Sequence, residues 1–124
     1  MFNWFGKRDE AAPAGSLPEI NRNTDLELLF GRDSFLVFKH SAACLVSWAA
    51  HAQVTRVRNS HPEAPIYLLP VLKERAVSNA IAVRTGVRHE SPQVILVRGG
   101  QAAESASHGA ITHDRLASML AQCR

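Results

Sequence analysis

The sequence predicts one α/β domain in which a central four-stranded mixed sheet is flanked by helices on both faces. Three short apolar runs, rich in branched and aromatic residues, have the length and composition of buried strands. Segments with apolar residues at helical spacing precede, separate and follow these runs. The 124 residues are enough for one hydrophobic core and too few for two.

The N-terminal residues are expected to lie outside this domain. Residues 11–16 are small and lack apolar periodicity. We therefore expect a flexible tail over residues 1–17 and the domain over residues 18–124. Aromatic and basic residues at positions 2–8 suit contact with a membrane surface or a partner, although packing on the domain is the simpler interpretation.

The first two elements are predicted to be a short helix and a buried strand. Asn23 or Thr24 can cap the helix, and Gly31 is expected to end it in the left-handed conformation. The apolar run 35–38 then predicts a strand that is buried on both faces.

A long helix is expected next, capped by Ser41 and continuing to residue 59. Two apolar stripes predict that this helix is buried on more than one side. One stripe consists of Leu45, Trp48, Ala49 and Ala52, and the other of Val46, Ala50, Val54 and Val57.

The run 66–71 predicts a second buried strand. Pro70 should lie at its end, where the sheet requires no N–H donor. A third helix is expected from about Glu74, and Gly86 should close it.

A hairpin and a final helix complete the pattern. The segments 94–97 and 102–107 predict two strands joined by a turn at Gly99 and Gly100, and Thr112 can cap the helix that follows. The resulting order, α-β-α-β-α-β-β-α, is the arrangement of thioredoxin-like domains.

Composition excludes several function classes. The formal charge is +3, but the basic residues are scattered among acidic ones, which argues against nucleic-acid binding. The two cysteines form no CxxC and no cluster with histidines, which argues against a disulfide framework and a metal site. We find no apolar run long enough for a transmembrane segment and no signal peptide, so a cytoplasmic location is expected. The oligomeric state stays open.

Cys44 is the candidate catalytic residue because it stands where the first strand gives way to the long helix. Free N–H groups and the positive end of the helix dipole favour a thiolate there, and Lys39 and His40 can add positive charge. Ser47 takes the place where dithiol oxidoreductases carry a second cysteine. An external thiol must therefore complete turnover, unless Cys123 reaches the site.

The later segment around Ser91 and Pro92 strengthens this prediction. In thioredoxin-like folds a cis proline opens the corresponding strand and faces the active-site helix. Together with the residues 38–41 that lead to Cys44 and Ser47, the segment 86–94 (GVRHESPQV) and the pairs 107–108 and 111–112 resemble one family. That family is the YtxJ-type monothiol bacilliredoxins of the bacillithiol system.

The resemblance implies that the protein removes bacillithiol from mixed disulfides on S-thiolated client proteins through a transient disulfide on Cys44. It implies no tightly bound cofactor, with bacillithiol as co-substrate. His89, Glu90 and Ser91 would then line the thiol-binding surface, and Arg88 could meet the carboxylates of a small anionic thiol.

The sequence departs from the family pattern at one position, and two other functions are compatible with it. Leu45 stands where family members commonly carry proline, which restores an N–H that could bond the thiolate. A non-catalytic thioredoxin-fold adaptor, with Cys44 buried as a small apolar residue, is the main alternative. A thiol enzyme of another kind, such as a peroxidase or a reductase of an inorganic oxyanion, is the other.

Overall fold

The computed structural model describes residues 16–123, so most of the expected N-terminal tail lies outside the described residues. The elements are, in chain order, α1 (Leu26–Phe30), β1 (Ser34–His40), α2 (Leu45–Ser60), β2 (Ile66–Pro70), α3 (Arg75–Thr85), β3 (Gln93–Arg98), β4 (Gln101–Ser107) and α4 (His113–Leu120). A single 3₁₀ turn, His108–Ala110, links β4 to α4. This is the predicted order. Within residues 16–123, no helix is both long and apolar enough to cross a membrane.

The four strands form one mixed sheet in the order β2-β1-β3-β4. β1 is parallel to β2 and antiparallel to β3, and β3 is antiparallel to β4. In the register, Phe38 of β1 lies between Leu68 of β2 and Val94 of β3. All seven residues of β1 are buried, which confirms the continuous apolar strand predicted from the sequence.

Alternate side chains of β1 enter two separate cores. Leu36 and Phe38 pack in a cluster with residues of α2 and α4, such as Val54. Phe35 and Val37 pack in the other cluster with residues of α1 and α3. Successive residues of a strand point to opposite faces, so helices cover both faces of the sheet, as predicted. The same alternation assigns Lys39 to the α3 side and His40 to the α2 side.

The local turn signals of the second half are confirmed. Pro70 is the last residue of β2. Gly86 ends α3 with φ 71°, in the left-handed conformation, and Gly99 and Gly100 turn the hairpin with φ 58° and 80°. The Thr112 side chain caps α4 by accepting from the N–H of Arg115.

The capping of α1 differs from the prediction. Asp25 is the N-cap residue, and its side chain accepts from the Leu28 N–H. Thr24 instead closes the preceding turn, where its hydroxyl accepts from the N–H of Asn21 at 2.9 Å. Gly31 has φ −80° and is right-handed, because its N–H still donates to carbonyls of the helix.

The start of α2 also differs, because Cys44 rather than Ser41 is the N-cap residue. Residues 41–43 form a separate turn in which the Cys44 N–H donates to the Ser41 carbonyl at 3.2 Å. The N–H of Ser41 is bonded to the Ser47 hydroxyl at 2.9 Å. The chain therefore makes one extra turn before the helix begins.

The prediction that α2 is buried on two sides is wrong. Leu45 is 87% exposed and Trp48 is 46% exposed, whereas Ala50, Val54 and Val57 are buried. The reason is that α2 lies with one face on the sheet, so only Ala50, Val54 and Val57 of the second predicted stripe enter the core, and Val46 is 47% exposed.

Candidate functional site

Cys44 lies between the end of β1 and the first turn of α2. Its extended backbone (φ −122°, ψ 124°) lets its carbonyl accept the first helical hydrogen bond, from the N–H of Trp48 at 3.1 Å. Its side chain makes no capping bond and is partly exposed. The sulfur is thus adjacent to the free N–H groups of a 16-residue helix. The adaptor alternative required a buried Cys44, and this thiol is not buried.

Cys44 borders a cleft of about 230 Å³ between the start of α2, the start of α3 and the segment before β3. The lining residues are mostly polar and include no carboxylate. They are Ser41, Cys44, Val71, Leu72, Arg75, Ser78, Asn79, His89 and Ser91. The cleft has the size for part of a small ligand beside the thiol.

The Ser91–Pro92 peptide bond is cis, as the sequence predicts. Pro92 is buried directly before β3, and its carbonyl accepts from the N–H of His108 at 3.1 Å. Ser91 lines the cleft together with Cys44. The fold thus places this segment opposite the start of α2.

Ser47 and His40 hold the turn before Cys44 from inside. Ser47 is fully buried, and its hydroxyl accepts from the Ser41 N–H and lies 2.7 Å from Nδ1 of His40. Nε2 of His40 is buried and has no hydrogen-bond partner within residues 16–123. The ring of His40 packs against Trp48 and His51, with centroid distances of 4.5 and 4.9 Å. Burial, and then the neighbouring His51, lower the pKa of His40, so His40 is neutral and supports the turn without adding charge.

Lys39 lies behind the cleft rather than in it. The side chain is fully buried, and Nζ donates to the Ser78 carbonyl at 3.2 Å and lies 3.2 Å from Nδ1 of His89. In the described part of the chain, Lys39 forms no ion pair with a carboxylate. Burial lowers the pKa of Lys39 to about 8.

His89 connects Lys39 to the cleft. Its Nδ1 faces both the ammonium of Lys39 and the hydroxyl of Ser78, at 3.2 and 3.1 Å. Desolvation, and then the positive charges of Lys39 and Arg75, lower the pKa of His89. Because an ammonium can only donate, Nδ1 is the acceptor, and the neutral ring carries its proton on Nε2. Nε2–H is therefore the donor that this ring offers to a ligand.

Two other predicted residues lie outside the cleft lining. Arg88 is exposed, and its carbonyl accepts from the side-chain amide of Gln93 at 2.9 Å. Glu90 is exposed, and its carboxylate lies 3.8 Å from Nδ1 of His108. In their place the structure brings Arg75 and Asn79 into the cleft. These two were not singled out in the sequence, where their spacing of four residues on one helix was the only signal.

Cys123 is far from the site. Hydrogen bonding with Ser34 and the charge of Arg98 act on this thiol, which therefore lies near the first residue of β1. Cys44 follows the last residue of β1, and a seven-residue strand spans roughly 20 Å. Burial, the dominant effect, raises the pKa of Cys123. The two thiols are both free and lie at opposite ends of the sheet.

Comparison with known proteins agrees with this geometry. The family model of the monothiol bacilliredoxin BrxC matches residues 19–116. A solved candidate oxidoreductase with a thioredoxin fold is 32% identical, with 76% of this chain and 84% of that chain covered and a TM-score of 0.69. A mutant thioredoxin from Halobacterium salinarum is 17% identical (88% and 91% covered, TM-score 0.66). Thioredoxin from Trypanosoma brucei brucei is 11% identical (89% and 92% covered, TM-score 0.70).

The two thioredoxins are too distant in sequence to show more than the fold, which they share with this chain. The family match extends from before α1 into α4 and includes Cys44, Ser47 and the cis Ser91–Pro92 bond. Both the thioredoxin-like fold and the resemblance seen in the sequence are thereby confirmed, and they support thiol redox chemistry. The chain belongs to the monothiol bacilliredoxin family.

Proposed function

We propose that the protein removes bacillithiol from S-bacillithiolated client proteins by exchange at Cys44. The Cys44 thiolate attacks the bacillithiol sulfur of the mixed disulfide. A disulfide forms between Cys44 and bacillithiol, the client disulfide breaks, and the client thiolate leaves and takes up a proton from water. A second, external thiol then attacks the bacillithiol sulfur, forms a new mixed disulfide with it and releases the Cys44 thiolate. The number of disulfides is unchanged in each step.

The observation that carries the proposal is the partly exposed Cys44 thiol at the N-terminus of α2, bordering a cleft of small-molecule size. A thiolate there is also a good leaving group, which assists the second step. Ser47, fully buried at the position of a resolving thiol, supports a monothiol cycle, as does the distance to Cys123.

Other predicted residues are given roles by their positions. We assign to Lys39, His40 and Ser47 the support of the cleft and of the turn before Cys44. The exposed Arg88 and Glu90, outside the cleft, are assigned to contact with the client protein.

Two further features of the site belong to the proposal. The backbone at Ser91, beside the cis bond, is assigned to hydrogen bonding with an extended client segment. The cycle depends on reduced thiols, so the proposal includes a cytoplasmic location.

Intact-protein mass spectrometry tests the proposal. The protein is incubated with a bacillithiolated client peptide, and the reaction is quenched with acid. We expect the wild type and Cys123→Ser to gain the mass of bacillithiol, and Cys44→Ala to gain none. No adduct on the wild type, or an equal adduct on Cys44→Ala, would refute it.

Alkylation separates this proposal from the adaptor alternative. Iodoacetamide labelling is followed across pH in Cys123→Ser and in Cys44→Ala, so that each thiol is read alone. Cys44, at the N-terminus of α2, should react faster than Cys123, because burial raises the pKa of the Cys123 thiol. Slower labelling of Cys44 would favour the adaptor.

A further inference from the structure

We infer that Arg75, together with the Nε2–H of His89, binds a carboxylate of the small thiol that is held on Cys44, and that the cleft thereby selects acidic thiols. The inference rests on the proposed function, because the ligand reaches the cleft through its disulfide with Cys44. It goes beyond that function by naming the residues and the chemical group that determine selectivity.

The charged groups of the cleft lining are positive. The lining includes the permanently charged Arg75, and no lining residue is acidic. The buried ammonium of Lys39 lies directly behind the wall that His89 forms. Glu90, which adjoins His89 and Ser91 in the chain, is outside the lining, and its carboxylate lies 3.8 Å from Nδ1 of His108. A negatively charged group is therefore the ligand that this cleft attracts.

Arg75 is free to bind such a group. It is the exposed first residue of α3, and its guanidinium makes no hydrogen bond or ion pair with any residue between 16 and 123. Its neighbour Glu74 is buried and turned away, with Oε1 accepting from the backbone N–H and from Nε of Arg22 at 3.0 and 3.3 Å. A guanidinium without a protein partner offers a carboxylate two parallel donors.

His89 supplies a second donor in the lining of the same cleft. The contact between Lys39 and Nδ1 leaves the proton on Nε2, so the ring presents a donor and not an acceptor. This arrangement suits a carboxylate and would not suit an ammonium group. Asn79 follows Arg75 by one helical turn and adds a side-chain amide to the cleft lining.

Arg56 offers a matched control. It carries the same charge and is exposed on α2, but it does not line the cleft. Arg75→Gln and Arg56→Gln change the net charge equally, so a difference between them reports the position of the charge and not overall electrostatics.

The test uses one peptide thiol in mixed disulfide with either 3-mercaptopropionate or cysteamine, which are similar in size and opposite in charge. Release of the peptide thiol, followed with the protein in excess, gives the second-order rate constant of the first exchange for each protein. The comparison is made between variants on the same substrate, so that the intrinsic reactivity of each disulfide cancels. For Arg75→Gln we expect a loss of roughly tenfold on the mercaptopropionate disulfide and none on the cysteamine disulfide. Arg56→Gln should change neither value by more than about twofold.

Three results would overturn the inference. Arg75→Gln could react as fast as Arg56→Gln with the mercaptopropionate disulfide, or Arg75→Gln could lose activity equally on both disulfides, or the wild type could react with neither disulfide. Failure of the proposed function is seen separately, as the absence of reaction between the wild type and the bacillithiolated peptide while the two probe disulfides still react.

Discussion

Replacing Lys39 with methionine should change how the stability of the protein depends on pH. Lys39 is fully buried, and its ammonium donates to the Ser78 carbonyl and to His89 without meeting a carboxylate in the described chain. Burial lowers its pKa from 10.5 to about 8, so the folded protein holds this proton more weakly than the unfolded chain does. Methionine has a similar length and no charge.

The expected magnitude follows from this pKa. Between about pH 8 and 10.5 the unfolded chain still binds a proton that the folded protein has released, so the free energy of unfolding rises with pH. At about 1.4 kcal/mol per pKa unit, the total is about 3 kcal/mol. Lys39→Met lacks this titration. The stability of the wild type should therefore increase relative to the variant by about 3 kcal/mol from pH 7 to pH 10.5.

Urea unfolding of both proteins at several pH values over this range measures the effect. Other groups, such as Cys123, titrate in both proteins and cancel in the difference. Lys73→Met is the control, because Lys73 is exposed and its removal should leave the difference independent of pH. A difference between wild type and Lys39→Met that stays constant over the range would refute the reasoning.

Two further predictions concern the support beneath Cys44. Ser47→Ala should lower the free energy of unfolding by about 2–4 kcal/mol, because the Ser41 N–H and His40 Nδ1 both lose their partner. The exposed Ser60→Ala should change it by less than about 0.5 kcal/mol, and equal losses in urea unfolding would contradict this prediction. Burial lowers the pKa of His40 and His51, so below about pH 6.5 the unfolded chain binds protons that the folded protein does not. The urea midpoint should therefore fall between about pH 7.5 and 5.5, and less in His51→Gln; a flat wild-type midpoint would contradict this.

Most of the secondary structure was predictable because its signals act between near neighbours in the chain. A continuous apolar run predicted β1, since a strand buried on both faces shows no alternation. Gly86 and Thr112 end and begin helices through contacts within a few residues. The cap of α1 was missed by one residue, because Thr24 and Asp25 are both suitable and the turn at Asn21 engages the first.

The exposed face of α2 could not be predicted in this way. Leu45 and Trp48 form an apolar stripe as regular as the one that is buried. Which stripe enters the core depends on how the helix lies on the sheet and on α4, which are contacts between distant segments. Sequence periodicity shows that one face of a helix is apolar, but it does not show whether that face packs against the rest of the protein.

The sequence by itself predicted the candidate nucleophile and the monothiol bacilliredoxin family, because Cys44, Ser47 and Ser91–Pro92 are recognised by residue type and spacing. The tertiary structure decided which cations reach the thiol. Lys39, five residues from Cys44, is buried behind the cleft, because strand alternation points it towards α3. Arg75, on another helix, enters the cleft. The physical reason is that a cleft forms where separate segments pack together, so its charge depends on contacts that no local stretch of sequence contains.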